Sequence, residues 1–127
     1  MGEDAGCHLQ NLSRYSMDNI EIKNLFIDLQ SACSKEVFET ILENGKFTLE
    51  RIVSTGQSTP EGEWCDQDRD EWVVLLSGGA GLFFEGEDEV RVIRPGDYIL
   101  IPAHARHRVE WTDKHGPSIW LAVHWKP

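Results

Sequence analysis

Gly96-Asp97-Tyr98-Ile99-Leu100-Ile101-Pro102-Ala103-His104-Ala105-Arg106-His107 is the stretch on which the reading of the fold turns. Gly96-Asp97, preceded by Arg94-Pro95, forms a turn, and Pro102 closes the far side of the apolar run 98–101. A run that short, fenced by Gly and Pro, favours a buried strand over a helix. Pro102 then starts a short, stiff corner that delivers His107 onto the next strand. There the chain alternates again, which predicts His107, Val109 and Trp111 on one face and Arg108, Glu110 and Thr112 on the other. If the first face lines a sandwich or barrel, His107 points into the core.

The same pattern continues on both sides of this stretch. From Lys46 onward the spacing predicts strands at 47–53, 64–67, 71–76, 80–85, 89–93, 107–112 and 119–125, with a slip in the first at Arg51-Ile52. Turn residues such as Thr59-Pro60-Glu61-Gly62, Ser77-Gly78-Gly79 and Gly86-Glu87-Asp88 separate them. Many short strands punctuated by turns mean an all-β sandwich or barrel. Before Lys46 the pattern differs. Val37, Phe38, Ile41 and Leu42 recur at helical spacing, with Ser34 as N-cap and Asn44-Gly45 as stop, and predict one short N-terminal helix. Ile20-Glu21-Ile22 and Leu25-Phe26-Ile27 suit a first strand or an arm laid over the barrel. Residues 1–18 show no period and read as a flexible arm or an expression remnant, leaving 19–127 as one barrel domain.

Composition narrows the function classes. A chain of 127 residues supports one core. With 12 basic against 22 acidic residues its formal charge is -10, which disfavours nucleic acid and anionic membrane surfaces as partners. No apolar run approaches the ~18 residues of a membrane span, and Met1-Gly2-Glu3-Asp4 lacks the features of a secretory signal, so the expected location is the cytoplasm. Three cysteines, Cys7, Cys33 and Cys65, without CxxC spacing indicate neither a disulfide framework nor a zinc knuckle.

Gly96, Pro102 and His107 stand in the spacing of the second signature of the cupin superfamily, with His104 where a glycine is usual. The first signature is half present: Glu71 precedes Gly78 by the expected interval, but Cys65 and Gln67 occupy the two histidine positions. The chain thus resembles a small single-domain cupin. The resemblance implies a jelly-roll barrel, here with the short helix and arm, and a divalent transition metal (Fe, Mn, Ni or Zn) inside it. It also implies oxygenase, isomerase or decarboxylase chemistry on a small molecule, and a homodimer.

His107 is the first candidate ligand, a neutral imidazole being suited to such ions; the plainer alternative is a buried, hydrogen-bonded histidine. Glu71 opens the apolar strand 71–76, where a carboxylate is unexpected unless paired, ligating or at the mouth, and it is also the candidate proton acceptor. Gln67, His104 and His124 complete the candidate metal set. An odd offset from His107 argues for a rim position at His104, and nothing in the last strand says whether His124 faces in. Cys65, Tyr98, Trp111 and Trp120 are the candidate lining of a substrate pocket, with core packing as the alternative for the aromatics. The rival to a metal enzyme is a small-molecule binding or sensing barrel that has lost its metal, a reading supported by the missing histidine pair.

Overall fold

A computed structural model describes residues 20–29 and 35–127; the predicted arm 1–18 and the predicted cap Ser34 lie outside the described residues. Eight strands follow in order: β1 (Val37–Glu43), β2 (Phe47–Ser54), β3 (Asp70–Ser77), β4 (Ala80–Phe84), β5 (Arg91–Ile93), β6 (Tyr98–Ile101), β7 (His107–Thr112) and β8 (Ser118–Trp125). They form a five-stranded antiparallel sheet, β1-β2-β8-β3-β6, and a three-stranded one, β5-β4-β7. The inner faces close on a core of Ile52, Val73, Leu75, Ala80, Leu82 and Trp120, with Leu75 and Ala122 fully buried. This is the all-β jelly-roll barrel.

The expected helix is a strand. Val37–Glu43 pairs with β2, and the register shifts between Thr40 and Leu42, leaving Ile41 as the extra residue of a bulge. One inserted residue stretches a period of two into spacings of three and four, which is the pattern that mimics a helix. Asn44-Gly45 is correspondingly a hairpin turn rather than a helix stop. The Asn44 side-chain oxygen accepts from the amides of Lys46 (3.0 Å) and Phe47 (3.2 Å), and Gly45 takes φ +84°.

Two further readings shift for local reasons. The slip expected in β2 is absent, since its ladder with β8 runs unbroken from Phe47 to Ser54. Arg51 is instead buried from outside, because the segment 20–29 lies over that face. Its guanidinium donates to the carbonyls of Leu25 (3.1 Å), Ile27 (2.8 Å) and Asp28 (3.4 Å) and pairs with Glu39 (2.7 Å). In β7 the register shifts so that Gly81 faces Trp111 while Leu82 faces Val109, which makes Glu110 the bulged residue. Thr112 therefore turns in and is 2% exposed, whereas Trp111 turns out and is 39% exposed. Its indole covers Gly81 so closely that a Cβ there would sit 2.3 Å from Nε1.

Candidate functional site

The inward faces of β2, β3, β4, β6, β7 and β8 line an open-mouthed cavity of about 160 Å³. Ile52, Val73, Leu82, Ile101, Val109 and Trp120 give it apolar walls, and Glu36, Thr59, Cys65, Gln67, Glu71 and His107 give it polar groups. Phe38, on the edge strand β1, forms part of its exposed rim. A larger groove of about 540 Å³ lies outside the barrel, between the 20–29 segment and β1–β2. Its one buried cation, Arg51, is already engaged, whereas the smaller inner cavity gathers several titratable side chains.

His107 begins β7 at a place fixed by both its backbone and its ring. Its amide and carbonyl pair with those of Cys65 (3.1 and 2.7 Å), setting the two side chains on one face. Nδ1 lies 2.9 Å from the Ala105 carbonyl. A carbonyl only accepts, so Nδ1 carries a proton, and in the neutral ring the lone pair falls on Nε2. The ring packs against Phe84, centroids 5.5 Å apart, and the residue is 7% exposed.

Glu71 enters from β3, 8% exposed, opposite His124 in the ladder. Burial pushes its carboxyl above the ordinary glutamate range; His124 and His107 pull the other way, and Glu50 adds to the rise. It accepts no hydrogen bond among the described residues, and the nearest cationic atom is His124 Nε2 at 3.9 Å. His124 faces in and is 4% exposed, which settles the face of the last strand. Its Nε2 is tied to Glu50 Oε1 at 3.0 Å, its Nδ1 is buried without a partner among the described residues, and it sits outside the cavity lining.

Cys65 is half-buried. Burial pushes its thiol up, Thr59 opposes through a hydrogen bond, and the charges of Glu71 and Glu36 push it up further. In the metal-free protein it is therefore a thiol and not an activated nucleophile. Gln67 lines the same cavity, and its carbonyl receives the His104 amide at 2.7 Å.

The remaining candidates lie elsewhere. His104 sits at the motif's glycine position with φ +65°, the left-handed conformation that glycine takes most easily. Its ring is 69% exposed and hydrogen-bonds Asp66 at 2.9 Å, away from the cavity. Tyr98 is 68% exposed because alternation from the buried Ile101 turns it outward, where it packs on Trp72. Trp111 is outside for the bulge reason given above. Of the expected pocket lining, the structure brings Cys65 and Trp120 together and leaves Tyr98 and Trp111 on outer faces.

Two residues were not foreseen. Glu50 follows from period-two counting along β2, which puts it on the face of Ile52. Glu36 had no usable signal, because it precedes a segment with a helical pattern. Its Oε2 accepts from Ser54 Oγ at 2.5 Å, and Ser54 in turn accepts from Trp120 Nε1 at 3.2 Å.

A resident transition metal would need donors converging on one point. Among the described residues no three His, Cys, Asp or Glu side chains do so. One imidazole, two carboxylates, one amide and a thiol line the cavity, with Glu36 already held by Ser54, while His104 and His124 are committed elsewhere. This donor set does not fit a bound metal.

Comparison with known proteins agrees with the architecture. Residues 50–124 match the model of the cupin domain. A crystal structure from Ralstonia eutropha JMP134, described as a "putative mannose-6-phosphate isomerase", is 46% identical, with a TM-score of 0.82 over 85% of this chain and 100% of that one. A cupin superfamily protein of Desulfitobacterium hafniense DCB-2 is 17% identical (TM-score 0.61; 85% and 84% of the two chains). The polyketide cyclase RemF of Streptomyces resistomycificus is 19% identical (TM-score 0.63; 74% and 67%). These last two likenesses are of fold alone. No functionally curated protein matches the chain. Among the described residues no helix is long and apolar enough to cross a membrane.

Proposed function

The chain belongs to the cupin family, and on that premise we propose that its barrel is a binding site for a small organic molecule, oriented by His107 and Glu71 without a resident metal. The observation that carries this reading is the His107 ring. Its proton is fixed on Nδ1 by Ala105, so that Nε2 offers an acceptor in an apolar cavity beside a carboxyl that makes no hydrogen bond. A few polar groups set in apolar walls are the usual make-up of a small-molecule site.

The Ralstonia relative's description names a sugar-phosphate isomerase. A phosphate dianion in this cavity would face Glu36 and Glu71, with no Lys or Arg among the lining residues, so that substrate is not carried over. Oxygenase, isomerase or decarboxylase chemistry through Fe, Mn, Ni or Zn would ask for a third protein donor beside His107 and Glu71. Elemental analysis of wild type and His107→Ala after reconstitution with each ion tests this. The expected result is no stoichiometric metal in either protein. About one equivalent in wild type that disappears in the variant would replace this reading with the metal enzyme.

We also propose a homodimer through the outer face at β6, the end of the five-stranded sheet, where Tyr98 and Leu100 are exposed beside Trp72. Light scattering should give twice the chain mass for wild type and a monomer for Tyr98→Lys. A monomeric wild type sinks the dimer.

A further inference from the structure

The cavity is rich in acceptors and its charged groups are all anionic. Glu36 and Glu71 bring two carboxylates, His107 brings the Nε2 lone pair, and Gln67 brings an amide oxygen. The donors opposing them are few and neutral: the Gln67 amide, the Cys65 thiol and the Thr59 hydroxyl, the last already donating to the Cys65 sulfur. Among the described residues no Lys or Arg lines the cavity, and Glu71 and His107, 8% and 7% exposed, accept no hydrogen bond from another described side chain. Acceptors shielded by apolar walls gain from an added donor, and two carboxylates lining one small cavity gain from an added cation. The occupant that completes such a site carries N–H donors and positive charge.

We propose that the cavity selects a small primary organic amine in its ammonium form, with Glu36 and Glu71 as its anchors and His107 Nε2 as a further acceptor. The inference deepens the small-molecule reading above and rests on it. Glu36 suits the role because it is held in place: the chain Trp120 Nε1 to Ser54 Oγ to Glu36 Oε2 fixes one carboxylate oxygen, and the other accepts no hydrogen bond among the described residues. Trp120 contributes an aromatic wall and Phe38 an aromatic rim, surfaces that favour a cation and its alkyl stem. Size sets an upper limit. At about 160 Å³ the cavity is well below the ~300 Å³ at which drug-sized pockets begin, which restricts the occupant to a few non-hydrogen atoms. The chain's formal charge of -10 steers cations toward the protein and anions away.

The test is a matched series, n-butylamine, 1-butanol and butyrate, titrated into the full 127-residue chain while the Trp120 indole N–H is followed by NMR. Butylamine should shift that signal saturably, butanol should bind about tenfold more weakly or worse, and butyrate should leave it unmoved. Glu36→Gln keeps an oxygen for Ser54, so the free indole signal should stay in place. Its Kd for butylamine should rise about tenfold, with the butanol Kd unchanged. Glu71→Gln, on a different strand, should raise the butylamine Kd similarly and guards against a misfolded first variant. Equal or tighter binding of butanol or butyrate would overturn the amine while leaving a small-molecule pocket. No response of Trp120 to any of the three would overturn both.

Discussion

The barrel contains two sets of buried polar side chains, and they are treated in opposite ways. Around the β3–β4 turn, Ser118, Thr112 and Ser54 are all within 2% of complete burial and all are hydrogen-bonded. Ser118 Oγ donates to Gly79 O (3.1 Å) and accepts from Gly79 N (3.2 Å), Thr112 Oγ1 donates to Gln57 O (2.6 Å), and Ser54 links Trp120 to Glu36. Around the cavity, His107 and Glu71 are almost as deeply buried but keep acceptors open. Burial of polarity therefore does not by itself mark a site. Closed networks rigidify the scaffold, and open ones hold binding capacity at a cost in stability.

The largest expected effect strikes the closed set. Gly78 has φ +90°, and a Cβ on it would stand 2.6 Å from Ser118 Cα and 2.3 Å from Ser118 Oγ. Gly78→Ala combines left-handed strain with a backbone collision and should cost at least ~3 kcal/mol in urea denaturation. A loss below ~1 kcal/mol would show that the turn can relax and that the closed set is less rigid than argued. Next is Thr112→Val, which keeps the shape and removes the hydroxyl's bond to the Gln57 carbonyl; it should cost about 1–1.5 kcal/mol. The same measurement on His107→Gln, a polar replacement in the open set, should show less than about 1 kcal/mol. If the two variants lose equal stability, the contrast between the sets fails.

How far the sequence foretells this arrangement depends on where the strands are regular. The 96–107 stretch is legible because Gly96 and Pro102 pin its ends and alternation holds between them. Bulges defeat the reading at Ile41 and Glu110. Each inserts one residue, turning a strand into an apparent helix in the first case and moving Trp111 from inside to outside in the second. The last strand is ambiguous for another reason. Both of its faces are apolar, since one packs the core while Leu121, Val123 and Trp125 on the other are only partly exposed, so alternation carries no sign. Glu36 is invisible because its meaning depends on Ser54 and Trp120, partners 18 and more residues away. Short-range pattern locates strands; the cavity is a product of long-range pairing.

The smallest effect is the most diagnostic, because it concerns the sign of one charge. Burial holds the Glu71 carboxyl above its ordinary value of 4.5, so the folded protein keeps that proton at pH values where the unfolded chain releases it. The protonated form's contribution is complete below the ordinary value and is lost as pH rises through the raised one, leaving a carboxylate that is destabilising once ionised. Glu71→Gln cannot ionise and is spared that loss. Urea denaturation of both proteins from pH 4.5 upward should therefore show the variant gaining on wild type as pH rises, then levelling off once Glu71 is ionised in the fold. Added butylamine should narrow the gap at neutral pH by stabilising wild type more than the variant. If wild type instead gains on the variant as pH rises, His124 at 3.9 Å outweighs burial. Glu71 would then belong to the closed set after all.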